Sequence, residues 1–163
     1  MKRLSNLSKA LVFTSTMLLA IGAQAAGSHA GSHGSDHSAP TDIGRAGDPA
    51  QVSRTIAVDM TDAMHFTPEQ IDVKAGETLR FLVTNSGKIR HEMVLGTDAD
   101  LQAHYTMMMA DPTMRHEEPN AISLEAGKFG EIIWQFPIAG RVSFGCLEPG
   151  HYSASMKGAV LIQ

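Results

Sequence analysis

The stretch Gln70-Ile71-Asp72-Val73-Lys74-Ala75-Gly76-Glu77-Thr78-Leu79-Arg80-Phe81-Leu82-Val83-Thr84-Asn85-Ser86-Gly87 sets the fold class of this 163-residue chain. Ile71 and Val73 alternate with polar neighbours, and Ala75-Gly76-Glu77 makes a turn. Leu79, Phe81 and Val83 then alternate against Thr78, Arg80 and Leu82, until Asn85-Ser86-Gly87 breaks the run. Side chains of an extended strand point to opposite faces in turn, so a period of two buries every second residue. Working outward, similar short runs occupy 52–59, 91–95, 121–124, 131–136, 141–146 and 156–162. Such runs, separated by Gly, Pro and Asn turns, predict an all-β sandwich or barrel of about seven or eight strands. The segment 98–110 has no turn residue and predicts one helical insertion, N-capped by Asp98 and stopped by Pro112.

The flanks carry different signals. Lys2, Arg3 and Lys9 precede an apolar stretch ending at Ile21, and Ala23-Gln24-Ala25 supplies a small-x-small cleavage pattern, so 1–25 is expected to be a signal peptide. The apolar run is interrupted by Thr14, Ser15 and Thr16 and falls short of the ~20 residues of a membrane span. The mature chain is therefore expected in the periplasm, without a span. Residues 26–50 are rich in Gly, Ser and His, with His29, His33 and His37 among them, and are expected to be a disordered tether able at most to gather metal weakly. Residues 51–163 make the single expected domain. Removing the signal moves the net charge from −4 to about −7, which excludes the basic surface that nucleic acid requires.

An exported chain commonly pairs its cysteines, yet Cys146 is alone. Its neighbours bear on its use. Cys146-Leu147-Glu148-Pro149-Gly150-His151-Tyr152-Ser153-Ala154-Ser155-Met156 spaces a thiol, an imidazole and a thioether as C-x4-H-x4-M. Sulfur donors favour Cu(I), imidazole accepts either oxidation state, and a trigonal His2Cys set with a distant Met suits one-electron exchange. Structural zinc seldom takes Met, and only one thiolate is on offer. A second His has to come from elsewhere. His91 opens a strand after a polar turn and is the best candidate, with His65 and His116 as competitors in looser segments.

These residues resemble the cupredoxin family. Residues 66–77, the apolar strand after them and 85–92 look like the first half of that family's Greek-key sandwich, and 146–156 looks like its copper loop. The resemblance covers about 52–163 and implies one type 1 copper held by His91, Cys146, His151 and Met156, with His151 the exposed ligand through which electrons pass. It implies no enzyme. Gly145 and Leu147 stand where a multicopper oxidase has His beside the Cys, the loop has no second Cys for a binuclear centre, and a nitrite reductase would need two such domains. Where many cupredoxins carry Asn or Ser after the first His, this chain has Glu92, and Glu148 puts a possible negative charge inside the loop.

The helical insertion adds His104, Met107, Met108 and Met109, followed by Met114 and His116. Thioether and imidazole donors suit Cu(I), so weaker accessory copper sites are one expectation. A buried stripe of Leu101, Tyr105 and Met108, with the other Met residues filling gaps, is the other. With His91-Glu92-Met93, these additions make the chain most similar to the periplasmic copper-resistance cupredoxins. The resemblance thus implies copper tolerance or homeostasis. The alternative is a soluble one-electron carrier with a periplasmic redox partner. A monomer is expected in either case.

Overall fold

Two five-stranded sheets share one apolar core in the computed structural model, which describes residues 43–113, 118–136 and 138–163. The expected signal peptide, residues 26–42 of the expected tether, Met114 and His116 lie outside the described residues. In chain order the strands begin β1 (Arg45–Ala46), β2 (Arg54–Thr61), β3 (His65–Thr67), β4 (Gln70–Val73) and β5 (Thr78–Asn85). β6 (His91–Gly96) follows, then the helix α1 (Asp98–Ala110) and β7 (Ala121–Leu124). β8 (Phe129–Gln135), β9 (Gly140–Gly145) and β10 (Lys157–Ile162) complete the set. One sheet runs β1-β8-β5-β2-β3 and the other β4-β10-β9-β6-β7. β2 lies parallel to β5 and β4 to β10; all other neighbours are antiparallel.

The period-two reading of β5 is seen directly. Leu79, Phe81 and Val83 are fully buried, while Leu82 on the other face is 40% exposed. Facing residues interlock edge to face, Phe66 with Phe144 at 5.0 Å between centroids and Phe81 with Phe136 at 6.2 Å. Offset and T-shaped rings are the arrangement that their quadrupoles favour.

Three expectations need correction. First, the end of the expected tether is structured. Arg45 and Ala46 pair with Gln135 and Trp134, the Gly47 amide donates to the Ile133 carbonyl at 2.9 Å, and the Trp134 indole N–H donates to the Ile43 carbonyl at 2.7 Å. Backbone pairing needs no apolar side chains, which is why composition missed it. Second, His65 sits in a short strand, β3, where Phe66 pairs with Met60. Third, α1 has the expected bounds but a different cap. Thr97 is extended, and its Oγ1 accepts from the Asp100 amide at 3.1 Å. Asp98 instead lies in the first turn, accepting from the Ser143 hydroxyl at 2.5 Å. Hydroxyl caps followed by acidic first-turn residues are a stable helix start.

Candidate metal centre

β9 and β10 are antiparallel neighbours with Gly145 opposite Lys157, so the connection 146–156 must begin and end side by side. The Cys146 amide donates to the Met156 carbonyl at 3.1 Å, and the Met156 amide to the His151 carbonyl at 3.1 Å. Inside the loop the His151 amide donates to the Glu148 carbonyl at 3.0 Å. Gly145 permits the closure, because a Cβ there would stand 2.7 Å from Cε2 of Tyr152. β6 is buried along its whole length and pairs with β9 at Val94 and Gly145, which carries His91 to the loop.

The result is a tight donor cluster. Cys146 Sγ lies 3.2 Å from His151 Nδ1 and 3.9 Å from His91 Nδ1. The three ligand atoms fall within 4.8 Å of one another. Cys146 and His91 are fully buried, whereas His151 is half-buried. Met156 is fully buried in the same core cluster as Cys146. His65 is not part of the group; its Nδ1 pairs with Glu69 Oε1 at 2.6 Å on the surface. Burial pushes the Cys146 thiol up to about 12. The Glu92 amide, 3.4 Å from the sulfur, favours the anion, and the Glu92 and Glu148 carboxyls oppose it. Such a thiol ionises only when a cation arrives to replace the proton. Burial, and then the neighbouring His91, hold the His151 imidazole below its usual value. One soft sulfur anion and two imidazole nitrogens at these separations fit copper.

Around the donors a polar frame ties β6 to the loop. Glu92 is buried, accepting from the Leu147 amide at 2.9 Å and from the Ser123 hydroxyl at 3.0 Å. Its carboxyl is pushed up by burial and by Glu148, against the pull of those two hydrogen bonds. Arg90 pairs with Glu148, its Nη2 donating to Oε2 at 2.7 Å and its Nε lying 2.6 Å from Oε1. The negative charge expected in the loop is therefore compensated. Asp62, from the turn after β2, reaches His91 Nε2 at 3.1 Å. The Lys88 amide and the His91 ring hold its carboxyl below the usual value. Sequence reasoning singled out Glu92 and Glu148 but missed Arg90, Asp62 and Ser123, whose roles depend on contacts across 29 to 58 positions.

The helix backs this loop. Leu101 and Met108 from α1 pack with Val94, Leu147 and Tyr152 in a second apolar cluster, with Tyr105 at its edge. The Tyr105 hydroxyl donates to Ser153 Oγ at 3.2 Å. Met108 is thus a core residue, while Met107 and Met109 are 50% and 51% exposed.

Comparison with known proteins agrees with this geometry. Residues 52–163 match the family model of copper binding proteins, the plastocyanin/azurin family. The chain is 46% identical to a copper-resistant cuproprotein CopI of Rubrivivax gelatinosus over 94% of this chain and 92% of that one. It is 36% identical to a protein of the same name from Pseudomonas aeruginosa, over 74% and 82%. Among solved structures it resembles a reduced auracyanin of Roseiflexus castenholzii, with a TM-score of 0.57 and 21% identity over 69% of this chain and 98% of that one. That likeness speaks to the fold, and the family speaks for copper binding rather than enzymatic turnover. The cluster of a buried thiol and two imidazoles, framed by a sandwich that closes one loop over it, belongs to a chain of the plastocyanin/azurin family of copper-binding proteins.

Proposed function

We propose that this chain is an exported copper-tolerance protein whose single type 1 copper is held by His91, Cys146, His151 and Met156. The observation that carries the reading is the convergence of His91, Cys146 and His151 on one point, inside a chain 46% identical to a protein named for copper resistance. Met156 is supported as the fourth donor by its burial beside Cys146 and by the hydrogen bond between their backbones. The Ala23-Gln24-Ala25 pattern supports export to the periplasm. Bound copper supplies a Cu(II)/Cu(I) couple, and the chain's contribution is to fix the donors and shield them from water. The half-buried His151 favours a second use, one-electron exchange with a periplasmic partner.

Cys146→Ala is expected to abolish the thiolate-to-copper charge-transfer absorption; an unchanged visible spectrum overturns the ligand assignment. A deletion strain grown on graded copper separates the two uses. Lost tolerance with normal respiration supports the first, and impaired respiration with normal tolerance supports the second.

A further inference from the structure

Asp62 is the one carboxylate in hydrogen-bond contact with a proposed ligand imidazole among the described residues. Its position is built by several independent contacts. Oδ1 and Oδ2 accept from the Lys88 amide at 3.0 and 2.9 Å. Gly87 leaves the space it occupies, since a Cβ there would stand 2.2 Å from Asp62 Oδ1. The turn before β6 is thus wrapped around this carboxylate, and Oδ1 also meets His91 Nε2 at 3.1 Å.

A neutral imidazole has one N–H and one lone pair. A carboxylate at Nε2 demands the proton there, which leaves the Nδ1 lone pair directed to the side where Cys146 Sγ lies 3.9 Å away. The carboxylate also makes the ring a stronger donor, as outer partners of metal-bound His generally do. A stronger donor with a negative charge behind it favours Cu(II) over Cu(I). The charge is partly hydrated, the Asp62 side chain being 39% exposed, so its influence is moderated by solvent.

We infer that Asp62 is a positioning residue of the copper site, holding His91 as an Nδ1 ligand and biasing the bound metal toward its oxidised state. The inference rests on the proposed ligand set. Two substitutions separate its parts. Asp62→Asn keeps an acceptor for Nε2–H but removes the charge; Asp62→Ala removes both. In copper-loaded protein, Asp62→Asn is expected to lower the ratio of Cu(II) to Cu(I) affinity about three- to tenfold, and tenfold is a 59 mV rise in potential for one electron. In copper-free protein, nitrogen-15 NMR of His91 is expected to show the Nε2–H tautomer in wild type and Asp62→Asn, and a mixture in Asp62→Ala. A wild-type potential in Asp62→Asn overturns the inference, as does an Nδ1–H tautomer in the wild type. The Cys146→Ala spectrum reports separately. If that variant loses its absorption while Asp62→Asn keeps the wild-type potential, the ligand set stands and only the role of Asp62 falls.

Discussion

The two sides of the proposed copper site are built by opposite means. His91 comes from β6, a strand with every residue buried, hydrogen-bonded on both edges to β7 and β9. Cys146, His151 and Met156 come from an irregular connection with few ladder hydrogen bonds of its own. A sheet strand is stiff because neighbours fix both its edges; a loop must borrow stiffness. Here it borrows from two sources. Glu92 and Arg90, flanking His91, reach across to Leu147 and Glu148, and α1 presses Leu101 and Met108 onto Leu147 and Tyr152. The helical insertion, which in sequence looks like a detour, is the loop's outer wall.

That contrast can be broken at graded points. Met108→Ala removes a side chain that is 1% exposed, and is expected to cost about 2–5 kcal/mol of stability in chemical denaturation. Because the loss falls behind the loop, copper should also dissociate faster; a wild-type dissociation rate in a folded Met108→Ala protein would show that the loop needs no wall. Glu92→Ala strands the Leu147 amide and the Ser123 hydroxyl without an acceptor, for an expected loss of about 1–3 kcal/mol. Glu92→Gln retains a carbonyl oxygen and should recover most of it. Equal stability for the Ala and Gln variants would make the cross-tie irrelevant to folding. The smallest effect belongs to the outer face of α1. Met107→Leu with Met109→Leu should change stability by no more than about 0.5 kcal/mol while lowering copper bound beyond the first ion. If titration gives one copper per chain before and after, the exposed thioethers hold none.

What was legible in the sequence followed the range of the forces involved. Alternation along 78–84 is a local consequence of strand geometry, so the inner row of Leu79, Phe81 and Val83 could be read off directly. The spacing of Cys146, His151 and Met156 is likewise local, and the structure brings Cys146 and His151 together with His91. The strand β1 was hidden because its attachment is made by backbone groups and by the Trp134 indole, which leave no hydrophobic period. Met108 could be placed on a buried stripe or in a metal-binding face from helical spacing alone, and packing against Leu147 and Tyr152 decides for the stripe. Asp62 gave no sign at all. Its significance lies in meeting a ring 29 positions away, through a turn whose approach depends on a glycine.

The borders of the two sheets carry a consequence of their own. Among the described residues, β1 and β3 bound one sheet with two and three residues, and β4 and β7 bound the other with four each. Short outermost strands offer an approaching chain little template on which to add itself. Many copies can therefore crowd together without their sheets fusing into fibrils.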